Sequence, residues 1–496
     1  MNNVRQVKAA AHYIKTNLMP PLLKKSFYEF FKFFWDYTED RDLIDNWHIE
    51  YICGEAQKIG ERVIAGQPKE HDLILNVPPG STKSRIMSIA FPVWLWINKP
   101  SLNILCVSYS GDLALEFAYK RRDMINSEIF QEMFPGIRLR VDRATIATYQ
   151  NNHGGTHYSR GLTGQITGVH ADIVLADDPM SVPLAHSKAE RERINRNFFQ
   201  ALSTRKRKKE NTPMVLIMQR LHEGDTTGEM LKKKKTVKHI CLPGRVSDKV
   251  NPPSLKKNYT NGLLDPLMLS EATLIEMKED LGSAGFAAQI GQDPQDSDNK
   301  IYMPHWWMFY EYLPHDIQFV IQSWDTAYKE GEENDYSVCM TYGMNMNGIY
   351  GLDRFKNKLI TPDLEREMIK QYEKHKPNIV LIEDASSGQS LLPSLKRKTR
   401  IPLRGVKPMN KVVRANAVSP IIERGLVYLP KNADWVDDFI SEHSSFPNGT
   451  HDDQVDASNM GIQAIFEKFE RYLRRSKRRK TEVAATPESE AHKIAK

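Results

Sequence analysis

The sequence predicts an α/β protein of two domains, each built on its own sheet, and three observations predict it. The chain has 496 residues, more than one ordinary hydrophobic core serves. From Leu73 onward, short continuous apolar runs alternate with helical stretches, the pattern of parallel strands covered on both faces. After about residue 300 the order changes to three strand-like runs, a helix and a further strand.

Residues 1–70 read as a helical lead-in, with Trp35, Ile44, Trp47, Ile49 and Ile52 spaced among charged residues. Residues 71–300 form the first α/β domain with its linker. Leu73-Ile74-Leu75, Ile104 to Val107, Ile173 to Ala176 and Val215 to Met218 are its expected strands. A helix is expected from near Ser84 and another from Asp112 to Asn126. The Lys232–Lys235 run, Pro252-Pro253 and the polar stretch 293–299 mark surface and linker. Residues 301–468 form the second domain. Its strands are expected at 319–324, 336–342, 349–355 and 379–382, with a turn at Asn345–Gly348 and a helix over 362–375. This is the opening order of a ribonuclease-H-like fold. Residues 469–496 read as a basic, then polar, disordered tail.

Composition narrows the function classes. The chain is 40% hydrophobic and 26% charged, with a formal charge of +7, which is compatible with a polyanionic partner without demanding one. Pro92 interrupts the longest apolar stretch, and no run reaches the ~20 residues of a membrane span. The N-terminus lacks the pattern of a signal peptide. Cys53, Cys106, Cys241 and Cys339 have no ligand-like spacing. Buried thiols in a reducing, cytoplasmic setting are the expectation.

Two acidic constellations carry the chemistry. The first follows the loop Pro78-Pro79-Gly80-Ser81-Thr82-Lys83-Ser84. Binding polyphosphate needs backbone N–H groups, a mobile cation and a hydroxyl for Mg²⁺ at a helix N-terminus. Gly80, Ser81 and Thr82 would supply the backbone, Lys83 the cation and Ser84 the hydroxyl. Val77 and Thr82 occupy the two glycine positions of the usual pattern, so a plain Lys-Ser helix start is the alternative. Asp177-Asp178 ends an apolar strand, which suits Asp177 to Mg²⁺ and Asp178 to an attacking water. A solvated strand end is the competing reading. Gln219-Arg220, ending another strand, suits sensing of the γ-phosphate, and Arg220 suits an ion pair equally. Arg121 and Arg122 are candidates for a transition-state arginine or for a basic helical face.

The second constellation is Asp325 and Glu383 at two strand ends, with Asp453 and Asp456 opening the last long helix. Two-metal phosphodiester hydrolysis needs several carboxylates around ions about 4 Å apart. Asp453 and Asp456 are three apart and share a helix side, while Val455, Ile462, Phe466 and Phe469 lie roughly opposite. Asp452 falls further round. Taken singly, each acid is a solvated strand or helix end; together they suggest a metal site.

The order of Val77 to Ser84, Ile104 to Ser110, Leu162-Thr163-Gly164, Val174 to Pro179 and Gln219 to Asp225 resembles the large terminase subunit of tailed bacteriophages. So do Phe286 to Pro294, Ser323 to Ala327 and His451 to Ala457. The resemblance runs from about residue 45 to 465. It implies a P-loop ATPase domain with a mostly parallel sheet and a C-terminal ribonuclease-H-like nuclease. The activity implied is ATP-driven translocation of double-stranded DNA into a procapsid and endonucleolytic cutting of concatemers. Lys83 and Ser84 would hold phosphate and Mg²⁺, Asp177 Mg²⁺, and Asp178 would activate water. Asp325, Glu383 and an aspartate of the final helix would bind Mg²⁺ or Mn²⁺. Asp178 stands where the family more often has glutamate. Implied partners are the portal protein, a small terminase subunit and other copies of the chain in a ring, in the host cytoplasm at the portal vertex. A metal-dependent nuclease or a translocase with only one working site is the alternative.

Overall fold

The structure, a computed structural model, describes residues 14–37, 39, 41–164, 166, 168–294, 301–326, 336–359, 361–384 and 387–484. The chain divides into two compact units, residues 1–296 and 297–496.

The first unit opens with helices. In Phe27–Trp35, Ser26 caps the N-terminus by accepting from the Glu29 amide at 3.2 Å. The helix Trp47–Ala65 ends at Gly66, whose φ of 70° is the left-handed closure that glycine takes without steric cost. Eight strands follow: β1 (Asp72–Asn76), β2 (Ile104–Ser108), β3 (Leu139–Ala144), β4 (Thr148–Asn151), β5 (Thr156–Gly161), β6 (Ile173–Asp177), β7 (Met214–Met218) and β8 (Val237–Cys241). They form one sheet in the order β3-β4-β5-β2-β6-β7-β1-β8. From β5 to β8 every pairing is parallel, while β3-β4-β5 is antiparallel.

Both sheet faces are buried, which is why the central strands read as unbroken apolar runs. Leu73, Leu75, Ile104, Leu175, Val215 and Ile217 face one core with the N-terminal helices. Ile74, Leu105, Val107, Val174, Leu216 and Met218 face another, with Phe198 and Leu202 of the helix Lys188–Ser203. Four strands were not anticipated from sequence. Leu139-Arg-Val-Asp-Arg-Ala and Thr-His-Tyr-Ser-Arg-Gly carry too few apolar residues to announce themselves, and β8 follows directly on a lysine run.

The second unit holds β9 (Met308–Tyr310), β10 (Phe319–Asp325), β11 (Ser337–Met344), β12 (Ile349–Asn357), β13 (Ile379–Glu383), β14 (Leu403–Val406) and β15 (Val427–Pro430). Their order is β14-β13-β10-β11-β12-β15-β9. β10-β11-β12 is an antiparallel meander, and β10-β13 and β13-β14 are parallel. The expected turn is present: Asn345 N–H donates to Gly348 O at 3.2 Å. The helix Thr361–His375 supports one face, where Leu364 and Met368 meet Trp324, Val380 and Ile382. The long helix Asp453–Ala484 crosses the other, joining Ile321, Met340, Tyr342 and Leu381. That helix continues past Phe469, so residues 469–484 of the basic segment are helical; its Glu467–Arg471 and Glu470–Arg474 pairs are the i,i+4 spacing that supports an exposed helix.

The crossing depends on one glycine. A Cβ on Gly461 would sit 2.4 Å from Ser323 Oγ and 2.9 Å from Tyr342 Cδ2. Helix propensity favours Gly461→Ala by about 1 kcal/mol, whereas overpacking costs about 1–3 kcal/mol. Ser323 is held, since its hydroxyl donates to Ala457 O at 2.7 Å, so packing should win. Gly461→Ala is expected to lower the urea midpoint of unfolding, and a rise would show that the helix can shift off the sheet.

Candidate active sites

In the first unit the site lies at the carboxyl ends of β1, β6 and β7, where ligands bind in open α/β sheets. Because β7 lies between β6 and β1, its end stands between the acidic pair and the loop after β1. The loop makes its turn with Gly80 at φ 78° and Thr82 at φ 65°. Threonine therefore adopts the conformation that glycine takes in the usual motif, at a strain of about 1–3 kcal/mol. Ser81 closes the turn by donating to Pro78 O at 2.7 Å. The chain then enters a wide helical turn, Arg85–Ala90, that continues as the helix Phe91–Asn98.

Five expected residues converge here: Lys83, Ser84, Asp177, Asp178 and Gln219. The Ser84 hydroxyl donates to Asp177 Oδ1 at 3.1 Å. Lys83 Nζ lies 3.9 Å from Asp178 Oδ2 and donates to Gln219 Oε1 at 2.7 Å. Asp178 has φ 43°, and its amide donates to Ile217 O at 2.8 Å. Burial, then the neighbouring Asp178 charge, pushes the Asp177 carboxyl up to about 7 against hydrogen bonds from Ser88 and Ser84 and the Lys83 charge. Burial also raises Asp178, opposed by Lys83. Two like charges held out of water beside one lysine are short of positive charge. A hydroxyl and a carboxylate oxygen side by side fit Mg²⁺, so Ser84 and Asp177 would hold it.

The sequence did not reveal Ser88. Its hydroxyl donates to Asp177 Oδ2 at 2.6 Å, leaving Oδ1 toward Ser84. Arg121 stands behind it, fully buried, donating to Ser88 O, to Ser159 Oγ at 2.6 Å and to Tyr149 Oη at 3.2 Å. Arg121 is thus a structural brace and is corrected as a transition-state candidate: a side chain enclosed on all sides cannot reach a bound phosphate. Arg122 stacks over Tyr149 with its guanidinium 5.8 Å from the ring centre.

Gln219 meets Lys83, but Arg220 turns away. Its guanidinium pairs with Asp225 at 3.0 Å, and Asp225 also caps the helix Thr226–Lys233 through the Gly228 amide at 2.9 Å. Asp225 is fully buried.

In the second unit the register of β10 with β13 pairs Trp324 with Ile382, so Asp325 and Glu383 end neighbouring strands. The Ser323–Ala457 bond holds the first turns of the last helix over β10, which brings Asp453 and Asp456 to the same end. Burial, then Asp456, raises the Asp325 carboxyl to about 8, with Lys411 opposing and Asp453 and Glu383 adding to it. Burial raises Asp456 to about 6 against Lys411. Asp456 Oδ1 is buried with no hydrogen-bond partner.

The four acids share one end of the sheet without forming a finished cage. Among the described residues, no three His, Cys, Asp or Glu side chains stand close enough to hold a metal ion. Two cations that the sequence did not single out explain the spacing. Lys411 Nζ takes Asp456 Oδ2 at 2.5 Å and Asp452 Oδ1 at 2.8 Å, and Arg414 draws Glu383 aside at 2.9 Å. The orphaned Asp456 oxygen and the raised Asp325 and Asp456 carboxyls fit a cation, so Asp325, Glu383, Asp453 and Asp456 would hold metal after side-chain rotation.

Residues 322–465 match the terminase RNaseH-like domain family. The chain resembles phage large terminases. It is 26% identical over 251 residues to the large terminase subunit of Enterobacteria phage T3, an alignment spanning 46% of this chain and 42% of that protein. The chain thus spans less than half the length of this curated relative. The large terminase of a thermophilic bacteriophage, in complex with ADP, has the same fold, at 14% identity and TM-score 0.51, over 82% of this chain and 99% of that one. The same phage's terminase with ATP-γ-S gives 13% identity and TM-score 0.52, over 82% and 98%. The terminase-like fold accounts for both sheets.

Asp225→Ala removes the partner of an almost enclosed arginine as well as a helix cap. Breaking a buried pair from one side costs about 3–5 kcal/mol, so a large fall in thermal or urea stability is expected. A change under about 1 kcal/mol would mean that water reaches Arg220.

Proposed function

We propose that this chain is the ATP-driven motor and metal-dependent nuclease of viral genome packaging, the large terminase subunit. It would translocate double-stranded DNA into a procapsid and cut concatemeric DNA. The observation that carries the reading is the presence of two separate acidic centres, each at the carboxyl ends of parallel strands, one facing a Lys83-Ser84 loop and one facing no phosphate loop.

In the first site Gly80 to Lys83 would cradle the polyphosphate of ATP, with the Lys83 ammonium exchanging Gln219 for phosphate oxygen. Ser84 and Asp177 would hold Mg²⁺, kept in line by Ser88. Asp178, at the edge of the site and linked through its backbone to β7, would orient the attacking water. Release of Gln219 by Lys83 gives β7 a direct report of the nucleotide. In the second site Asp325, Glu383, Asp453 and Asp456 would bind Mg²⁺ or Mn²⁺, displacing Lys411 and Arg414 from the acids. A bound metal would polarise the phosphodiester and activate water.

The partners that follow are double-stranded DNA, a portal protein, a small terminase subunit and further copies of the chain arranged as a ring. The place of action would be the host cytoplasm at the portal vertex. No helix among the described residues is long and apolar enough to cross a membrane, and all four cysteines are free and buried.

Two variants test the reading. Lys83→Ala should lower ATP turnover by about 10²-fold or more, the scale of losing one charge-stabilising group, while plasmid cutting with Mg²⁺ or Mn²⁺ persists. Asp325→Ala should abolish cutting and keep ATP turnover. Loss of both activities in either correctly folded variant would show that the sites are not separate.

A further inference from the structure

One face of the second sheet carries more than the acids. Alternation along β10 puts Phe319, Ile321, Ser323 and Asp325 on the same side. Along β13 it does so for Ile379, Leu381 and Glu383, and the register of β14 adds Arg404 opposite Leu381 and Val406 opposite Glu383. The long helix continues the same geometry. From Asp456 its next residues on that side are Met460, Gln463, Glu467 and Arg471, at helical spacing. Between helix and sheet lies a groove of about 430 Å³. Arg414, which holds Glu383, lines the groove, and β10 contributes Phe319 and Ile321 to it.

The groove has an apolar floor and a basic rim. Ile321 and Leu381 form part of the floor, with Phe319 and Ile379 partly exposed. Arg404, Lys407, Lys468 and Arg471 stand around it, and Glu467 is its one acid, 3.9 Å from Arg471. Lys468 Nζ lies 5.7 Å from the centre of the Phe319 ring. A charged rim beside the partly exposed Phe319 and Ile379 suits a ligand with an anionic backbone and flat apolar faces, the chemistry of unpaired nucleic acid. The volume is that of a small-molecule pocket, enough for a nucleotide or two and too little for a duplex.

We propose that this groove binds an unpaired DNA strand leading to or from the acidic centre, with its phosphates on Arg404, Lys407, Lys468 and Arg471 and its bases on the apolar floor. The proposal rests on the nuclease reading for its choice of DNA, but the binding is measurable without cutting.

The test uses the full chain in EDTA, with a fluorescent hexathymidylate carrying one photoreactive bromodeoxyuridine. Cross-links should map to peptides containing Phe319 or Met460. The double variant Arg404→Glu, Lys468→Glu should remove those cross-links and weaken binding at least about tenfold. It should also reduce the slope of log affinity against log salt by about 1.4, the share of two phosphate contacts on single strands. An unchanged melting temperature excludes unfolding. Cross-links elsewhere, or unaltered binding by the folded double variant, would overturn the proposal and leave the groove to a protein partner. Displacement of the hexamer by an equal concentration of blunt duplex would overturn it in favour of a duplex backbone contact. If these cross-links appear but wild type cuts nothing with Mg²⁺ or Mn²⁺, the nuclease reading fails while the groove stands.

Discussion

Everything at both sites depends on carboxylates held at the carboxyl ends of strands whose other residues are buried. Burial is what raises Asp177 to about 7 and Asp325 to about 8, with a neighbouring acid adding to the effect in each case. Such groups are costly without a cation, and the two units answer that cost differently. The first leaves a lysine nearby and fixes the acid with two serine hydroxyls. The second brings Lys411 and Arg414 into contact with the acids themselves. The first acid is therefore held by neutral hydroxyls, while the acids of the second are neutralised by a lysine and an arginine.

Strand order converts that constraint into coupling. In the first sheet β7 separates the phosphate-loop strand from the acidic strand, so Gln219 can bind Lys83 while the amide of Asp178 hangs on Ile217. A change in the position of Lys83 thus reaches β7 directly through Gln219. From there the buried Arg220–Asp225 pair leads into the helix Thr226–Lys233, and Gln292 accepts from the Arg220 amide at 2.9 Å. In the second sheet, the parallel pairing of β10 with β13 aligns not only two acids but the floor of a basic groove behind them.

Much of this was legible in the order of residues. Apolar runs flanked by turns located β1, β2, β6, β7 and the first strands of the second sheet, because buried parallel strands are apolar throughout. The acids at the ends of those strands stood out for the same reason: a charge is conspicuous after an unbroken apolar run. The polar antiparallel edge β3-β4-β5 was hidden, since one-sided burial leaves a weak pattern in short strands. The Thr82 position was visible as a departure from a glycine motif, but only the backbone shows that threonine takes the left-handed conformation itself.

The sequence by itself determined the two α/β units, the phosphate-like loop and which acids end which strands, because these follow from local periodicity and chemistry along the chain. Only the tertiary structure decided that Arg121 is a buried brace, that Ser88 orients Asp177, and that Lys411 and Arg414 pair with the acids of the second unit. The bonds from Arg121 to Ser88, Ser88 to Asp177, Lys411 to Asp452 and Arg414 to Glu383 each join residues 31 or more positions apart in the chain. A side chain's partner at that separation is set by strand order and helix crossing, and neither is written in the spacing of residues.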